Sequence, residues 1–153
     1  MIACRLETPV GTAYVAGDGD AIAVLTLGEP DPAWVIEAEA YPEARQQLGQ
    51  YFGRQRRVFD LKLAPAGTDF QRRVWDRLLE IPYGTTSSYG ALAAELGSVA
   101  RAVGSANGHN PIWLVVPCHR VIGSKGQLTG YAGGLAVKRW LLEFEARQRS
   151  LFS

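Results

Sequence analysis

The sequence predicts an α/β chain in which a small mixed N-terminal domain, made of strands plus a helix, precedes a mainly helical domain of winged helix-turn-helix character. Three observations favour this fold class. Apolar runs of strand length, separated by turns, dominate residues 1–66, and helical apolar spacing dominates residues 67–153. Between them, APAGT at 64–68 carries the proline and glycine typical of a linker. We therefore expect domains at 1–66 and 67–153.

The N-terminal part is predicted to hold a hairpin, a helix and a further strand. TAYVAG at 12–17 and AIAVLTLG at 21–28 are separated by DGD, a turn signal between two strands. RVFDLKL at 57–63 is predicted as another strand. PEARQQLGQYFG at 42–53 has helical spacing. Its apolar face consists of Ala44, Leu48, Tyr51 and Phe52.

The helical part begins with a capping signal. Thr68 and Gln71 have the spacing of a capping box before FQRRVWDRLLEI, at 70–81. The apolar stripe of this predicted helix consists of Phe70, Val74, Leu78 and Ile81. YGALAAELG, at 89–97, is predicted as a short helix that ends at its glycine.

A second short helix is predicted at 99–108, with Ser98 as its cap. Two short helices joined tightly at a glycine are typical of a helix-turn-helix unit, although many helical hairpins that bind nothing have the same pattern. GSKGQ at 123–127 is expected to form a small wing. The last helix is predicted at 135–149, and its apolar stripe is Val137, Leu141 and Phe144.

An apolar run, NPIWLVVPCHRVIG at 110–123, delivers a cysteine and a histidine into a turn. Leu114–Val116 are predicted as a short buried strand. Pro117 cannot donate to a sheet ladder, so regular pairing should stop there. Cys118 and His119 would then lie where the chain leaves the core, where reactive groups are commonly held.

Cys118 is a candidate nucleophile, because a thiolate reacts and a nearby base or cation lowers the pKa of a cysteine. His119 is the candidate base, Glu145 its orienting partner and Asn110 a support for the turn. Arg120 adds a cation. A structural Cys-His pair is the alternative. A zinc site is disfavoured because the cysteines and histidines lack metal-ligand spacing, so no metal is expected.

Composition narrows the function classes. No apolar run of the 153 residues approaches the roughly 20 needed to span a bilayer, so no membrane association is expected. Only two cysteines are present, which fits a reducing cytoplasm rather than a disulfide scaffold. Net charge is +1, but residues 1–66 carry 6 Lys+Arg against 9 Asp+Glu while residues 67–153 carry 10 against 6. A local basic face in the second part is compatible with phosphate contacts.

Several segments of the second part together resemble one family. PCHRVIG resembles the active-site signature of the O6-alkylguanine-DNA alkyltransferases. TDFQRRVW, IPYGTTSSYGALA, ARAVGSANGHNP and GYAGGLAVKRWLLEFE resemble family segments in the same order and spacing. The resemblance extends from about Thr68 to Glu145, and it implies that residues 67–153 form a DNA-binding and active-site alkyltransferase domain.

The resemblance implies a mechanism for this chain. Cys118 would displace the alkyl group from O6 of a damaged guanine and keep it, so that each molecule acts once. His119 would act as base through an ordered water, Glu145 would hold the imidazole, and Asn110 would support the turn. Tyr131 would donate its hydroxyl to the guanine ring. The backbone groups of Val116 and Ala132 would bind the edge of the guanine. Gly133 would let the backbone come close to the base, and Trp113 would line the pocket for the alkyl group.

The resemblance also implies that the damaged base is flipped out of duplex DNA, since a base in the stack cannot reach a buried thiolate. Arg101 would fill the vacated stack, and Tyr89 would crowd the phosphate of the target. Small residues would let the second short helix enter the minor groove, and Lys125 would contact phosphate. The expected small residues are Ala102, Gly104 and Ser105.

The sequence therefore predicts direct-reversal repair of O6-alkylguanine, and of O4-alkylthymine less well, by a cytoplasmic monomer that binds double-stranded DNA and needs no cofactor. The principal alternative is a catalytically inactive alkyltransferase-like protein that binds lesions without chemistry. A plain helix-turn-helix regulator would not need the Cys118, His119 and Glu145 constellation. A cysteine hydrolase would turn over repeatedly, and the sequence contains no motif for an oxyanion hole.

Overall fold

A computed structural model describes residues 1–128 and 134–152, with side chains described as far as Arg147. The chain divides into two compact units, Met1–Ala66 and Gly67–Ser153. Within the described ranges, no helix is both long and apolar enough to cross a membrane.

The first unit is built on a four-stranded sheet in the order β3-β2-β1-β4. Its strands are β1 Ile2–Thr8, β2 Gly11–Gly17, β3 Val24–Leu27 and β4 Val35–Ile36. β2 pairs antiparallel with both β1 and β3, so the predicted hairpin around DGD is confirmed, while β4 pairs parallel with β1. Consecutive residues are buried in the two central strands, Ala3 and Cys4 in β1 and Val15 and Ala16 in β2, so the middle of the sheet is covered on both faces.

Helix α1, Pro42–Phe52, follows β4. Ala44, Leu48 and Tyr51 are buried, as their spacing predicts, whereas Phe52 is half-buried. Proline at the first helical position suits a start, because its missing N–H has no intrahelical partner there in any case.

The strand predicted at 57–63 is wrong. Only Leu63 makes a bridge, to Ile22, and Val58 is 75% exposed. The side chain of Gln47 supplies the polar partners instead: its amide nitrogen donates to the Asp60 carbonyl at 2.9 Å, and its oxygen accepts from the Asp60 amide at 2.8 Å. The backbone of Ile22 supplies the partners at the end of the segment: its amide donates to the Lys62 carbonyl at 2.9 Å and its carbonyl accepts from the Ala64 amide at 2.8 Å.

The second unit begins with helix α2, Asp69–Leu78. The Thr68 hydroxyl accepts from the Gln71 amide at 3.1 Å, and the Gln71 side chain accepts from the Thr68 amide at 2.9 Å, which confirms the capping box. Val74 and Leu78 on its stripe are fully buried. The indole N–H of Trp75 donates to the Ala106 carbonyl at 2.9 Å and so connects α2 to the helix that contains Ala106.

Two short helices follow, α3 Tyr89–Leu96 and α4 Ala100–Gly108. Gly97 ends α3 in the left-handed conformation, at φ 64°, as its position predicts. The cap predicted at Ser98 is wrong: α4 begins after Val99, which forms no side-chain cap bond. Ser98 instead donates its amide to the Ala93 carbonyl, which closes the end of α3.

The remaining elements carry the candidate site. A 3-10 turn, Cys118–Arg120, leads into β6, Val121–Ile122, which pairs parallel with β5, Ser87–Ser88. Helix α5, Leu135–Phe152, closes the unit. Its buried face includes Leu141 and Phe144 as predicted, but Val137 is only half-buried and its neighbour Lys138 turns inward.

The strand predicted at Leu114–Val116 is also wrong, although all three residues are buried as expected. Leu114 has φ 71°, which no regular strand allows. The amide of Val116 bonds to the Ile112 carbonyl at 3.1 Å, so the segment is a turn. The apolar character of this run reflects burial of a turn rather than sheet pairing.

Candidate active site

Two asparagine side chains hold the turn that carries Cys118. The Asn110 amide nitrogen donates to the Val116 carbonyl at 2.8 Å, and its oxygen accepts from the Ile112 amide at 3.0 Å. From α4, the amide nitrogen of the buried Asn107 donates to the Cys118 carbonyl at 3.3 Å. Backbone that forms no sheet is thereby satisfied inside the core. These contacts fix a cysteine that is only 4% exposed.

Next to the thiol lies a buried cluster of three ionisable side chains. His119 Nε2 lies 2.9 Å from Glu145 Oε2, and both residues are almost fully buried. Arg120 donates to the same carboxylate twice, from Nε to Oε1 at 2.8 Å and from Nη2 to Oε2 at 3.0 Å. Its Nη1 donates to the Ile81 carbonyl at 2.8 Å. This bidentate pair fixes the orientation of the Glu145 carboxylate and compensates its charge.

The electrostatics of this cluster decide its protonation. Burial raises the pKa of Glu145, but the hydrogen bonds from His119 and Arg120, together with the positive charge of Arg120, outweigh burial and hold that pKa well below its usual range. Burial lowers the pKa of His119, and the cations Arg120 and Lys138 lower it further, against the opposing effect of Glu145. At neutral pH the pair is therefore an ionised carboxylate and a neutral imidazole.

The neutral imidazole has a defined tautomer. An ionised carboxylate only accepts hydrogen bonds, so His119 Nε2 must carry the proton that points to Glu145. Nδ1 is then an unprotonated acceptor. Nδ1 is buried and makes no hydrogen bond to any residue among 1–128 and 134–152. Chemically, the site offers a thiol and an adjacent base whose accepting nitrogen is available.

A fourth ionisable group borders the site. Lys138 on α5 is fully buried, and its ammonium donates to the Tyr89 hydroxyl in a long hydrogen bond of 3.4 Å.

Cys4, the other thiol of the chain, is buried in β1 of the first unit, and burial raises its pKa. That shift makes Cys4 a poor nucleophile.

Residues 69–147 match a family model described as the DNA binding domain of 6-O-methylguanine DNA methyltransferase. The chain belongs to the 6-O-methylguanine DNA methyltransferase family. Among its relatives is a methylated-DNA–protein-cysteine methyltransferase of Methanosarcina acetivorans, 47% identical over 148 residues that cover 91% of this chain and 94% of that protein. The protein of the same name from Mycobacterium tuberculosis is 48% identical over 147 residues, 92% of this chain and 89% of that one.

Solved structures of the methyltransferase family share the fold of both units. The crystal structure of the Mycobacterium tuberculosis O6-methylguanine methyltransferase matches 99% of this chain and 98% of its own, with a TM-score of 0.89 and 44% identity. The structure of the Mycobacterium tuberculosis protein in complex with DNA matches 97% of this chain and 94% of its own, with a TM-score of 0.92 and 46% identity. The predicted resemblance and the α/β fold class are thus confirmed.

The structure brings together four of the residues that the sequence singles out for catalysis: Cys118, His119 and Glu145, with Asn110 beneath them. Trp113 and Val116 lie in the same buried turn. The Val116 carbonyl accepts from both Asn110 and the Cys118 amide, each at 2.8 Å. The other predicted substrate-binding residues lie outside the described part of the chain, namely Tyr131, Ala132 and Gly133.

The predicted DNA-contacting residues lie on α3, α4 and the loop after β6. Arg101 and Ser105 are exposed on α4, with Ala102 and Gly104 half-buried beside them. A Cβ on Gly104 would lie 3.8 Å from the Tyr89 ring, in ordinary contact. Tyr89 itself is largely buried at the start of α3. Lys125 is exposed in a loop closed by a bond from the Gly123 amide to the Gln127 carbonyl, without the sheet pairing of a wing.

Sequence reasoning alone does not place Asn107 and Lys138 at the site, and it does not predict that Arg120 pairs with Glu145. Arg120 directly follows His119, but nothing in the sequence pairs it with a carboxylate 25 positions away. Lys138 does carry a signal, because it precedes Glu145 by two helical turns and therefore shares its face. Asn107 is the polar residue among the small residues of α4, which is a weaker signal.

Proposed function

We propose that this chain repairs O6-alkylguanine in double-stranded DNA by moving the alkyl group to its own Cys118, once per molecule. The observation that carries the proposal is the neutral His119, which directly follows Cys118 in the 3-10 turn, is oriented by Glu145 and has an unprotonated, buried Nδ1. The names of its relatives, methylated-DNA–protein-cysteine methyltransferases, support the same reaction.

The reaction takes place in two stages. His119 removes the proton of Cys118, through an ordered water, and Glu145 stabilises the imidazolium that forms. The Cys118 sulfur then attacks the alkyl carbon in line, so that an S–C bond forms as the C–O6 bond breaks. The electron pair of the broken bond goes to the guanine, which takes up through the Tyr131 hydroxyl a proton equivalent to the one that Cys118 gave to His119, and the unmodified base stays in the DNA. The products are a thioether at Cys118 and repaired DNA, and no external cofactor is consumed.

The target base must leave the duplex to reach a site this deeply buried. We assign α3 and α4 as the helix-turn-helix unit that does this. Arg101, exposed on α4, fills the vacated place in the stack, and Tyr89 crowds the phosphate of the target. The small residues Ala102, Gly104 and Ser105 let the helix backbone approach the minor groove, where Lys125 adds a phosphate contact from the adjacent loop.

Recognition of the guanine falls mainly to the segment that contains Tyr131, Ala132 and Gly133, through the Tyr131 hydroxyl and the Ala132 amide. Trp113, which lies in the same buried turn as Val116, lines the space for the alkyl group and either excludes a large adduct or stacks on it. The Val116 carbonyl is left out of this set, because a carbonyl oxygen has two lone pairs and both are engaged within the turn. The repair of O4-alkylthymine, and action as a cytoplasmic monomer, stay predictions from the sequence.

Intact and peptide mass measurement tests the proposal directly. The protein is mixed with a duplex oligonucleotide that carries one O6-methylguanine, and we expect one methyl group on the Cys118 peptide and none on the Cys4 peptide. Cys118→Ser is expected to gain none, and Cys4→Ser is the matched control that should gain one. Tight binding to the lesion without any gain in mass would identify a lesion-binding protein instead and overturn the proposed chemistry.

A further inference from the structure

The chain just after α2 meets the buried Arg120–Glu145 pair at three residues. The Ile81 carbonyl accepts from Arg120 Nη1 at 2.8 Å. The guanidinium carbon of Arg120 lies 5.5 Å from the centroid of the ring of Tyr83, a residue that is only 9% exposed. The Gly84 amide donates to Glu145 Oε1 in a long hydrogen bond of 3.5 Å. The mechanism proposed above gives none of these three residues a part.

The Tyr83 ring binds Arg120 in a way that hydrogen bonds do not. The guanidinium nitrogens of Arg120 already donate to the Glu145 carboxylate and the Ile81 carbonyl. An aromatic ring attracts a cation through its negative face, and this attraction needs none of those N–H groups. It is strongest away from water, and Arg120 is only 6% exposed. Tyr83 therefore adds to the hydrogen bonds of Arg120 and does not compete with them.

The position of Arg120 in turn decides how His119 is held. Glu145 Oε2 accepts from His119 Nε2 at 2.9 Å and from Arg120 Nη2 at 3.0 Å. A carboxylate in a bidentate bond to arginine keeps one orientation. Because the same oxygen receives both donors, a guanidinium that moves turns the carboxylate away from the imidazole. The alignment of His119 thus depends on the contact between Arg120 and Tyr83.

We propose that Tyr83 is a positioning residue of the alkyl-transfer site, whose ring holds Arg120 in its bidentate bond to Glu145 and so keeps the His119 imidazole aligned. The proposal rests on the proposed function, because the alignment of His119 matters to the reaction only if His119 is the base. The ring rather than the hydroxyl has this role, since the contact is to the ring. Phenylalanine should therefore replace Tyr83, and leucine should not.

Hydrogen exchange at the Arg120 Nε–H tests this contact without any DNA. A buried, hydrogen-bonded N–H exchanges with water when its bond opens, so the exchange rate measured by NMR reports how firmly Arg120 is held. The proteins compared are wild type, Tyr83→Phe, Tyr83→Leu and Tyr14→Leu. Tyr14, half-buried on β2 of the first unit, supplies the matched control.

We expect Tyr83→Leu to speed exchange at the Arg120 Nε–H about 10- to 30-fold, the factor for loss of a cation–π contact away from water. Tyr83→Phe and Tyr14→Leu should match wild type. A folded Tyr83→Leu protein with the wild-type exchange rate overturns the proposal, and so does a Tyr83→Phe protein that exchanges as fast as Tyr83→Leu. If Tyr83→Leu does not fold, the wild-type NOE spectrum decides: contacts between the Tyr83 ring protons and the Arg120 side chain support the proposal, and their absence overturns it.

Methyl transfer from a saturating O6-methylguanine duplex tests the consequence for the reaction. We expect Tyr83→Leu to lower the single-turnover rate about 10-fold, a part of the roughly 100- to 10,000-fold that a positioned base supplies, with unchanged affinity for the duplex. Tyr83→Phe should keep the wild-type rate. A Tyr83→Leu protein with fast exchange at Arg120 and the wild-type transfer rate would contradict the positioning role.

The two measurements separate this inference from the proposed function. Fast exchange in Tyr83→Leu, without methyl transfer by the wild type, would sink the proposed repair function alone. Methyl transfer by the wild type, with unchanged exchange in Tyr83→Leu, would sink the inference alone.

Discussion

Replacing Glu145 by glutamine removes the negative charge that Arg120 and His119 share, while nearly preserving the shape of the side chain. The two bonds from Arg120, at 2.8 and 3.0 Å, then lose their charge partner, although both side chains are almost fully buried. Leaving one member of a buried ion pair uncompensated costs about 3 to 5 kcal/mol. We expect Glu145→Gln to lower the free energy of unfolding, measured by urea denaturation at pH 7.5, by that amount.

A double-mutant cycle separates lost charge compensation from lost packing. Arg120→Met alone leaves the Glu145 carboxylate buried without its cation and should also be strongly destabilising. The double variant removes both charges, so its loss should be smaller than the sum of the single losses by about 1 to 3 kcal/mol. Glu143→Gln, an exposed glutamate on the same helix, should stay within about 0.5 kcal/mol of wild type. Additive single losses would refute the argument that the two groups stabilise each other.

Two other predictions concern the turn and the pH dependence. Asn110→Ala removes the hydrogen bonds to the Val116 carbonyl and the Ile112 amide. We expect the free energy of unfolding in urea to fall by about 2 kcal/mol and single-turnover methyl transfer to become slower. An unchanged transfer rate would contradict the role of Asn110 in holding the turn. The pKa of His119 in the folded state lies below its unfolded value of about 6.5, so the unfolded chain binds the proton first as the pH falls. The free energy of unfolding therefore decreases below about pH 6.5, by up to about 1.4 kcal/mol per pH unit. His119→Gln should lose that part of the slope between pH 7.5 and 5.5, and an identical slope in both proteins would show that His119 is not its source.

Local signals predicted this fold well where one side chain determines one turn. The Thr68–Gln71 capping box and the left-handed Gly97 are both short-range events, and the structure has both. The two strand predictions that are wrong, at 57–63 and 114–116, were apolar runs whose backbone partners come from distant residues. Gln47 and the backbone of Ile22 bond to the first segment, and Asn110 bonds to the second. A sequence shows that a run is buried, but it does not show which group meets its backbone.

The residues of the candidate site could likewise be predicted only in part from the sequence. Adjacent Cys118 and His119 could be recognised from the sequence, and Glu145 on the last predicted helix was a candidate partner that the resemblance to a family also implies. The bidentate bond of Arg120 depends on how α5 packs against the 3-10 turn, which helical spacing alone does not specify. The inward turn of Lys138 was hidden because a lysine in an amphipathic helix is normally assigned to solvent, whereas here the aromatic ring of Tyr89 receives it.

The shielding of Cys118 has a consequence for the lifetime of each molecule. Thiolates react readily with dissolved peroxide and glutathione, and exposure governs how soon they do. A protein that uses its sulfur once has no means to replace a sulfur lost to oxidation. With 4% of Cys118 exposed, an oxidant in solution has little access to the turn, whereas in the proposed mechanism the damaged base is brought to the sulfur. Burial thus preserves a stock of unreacted molecules between one episode of damage and the next.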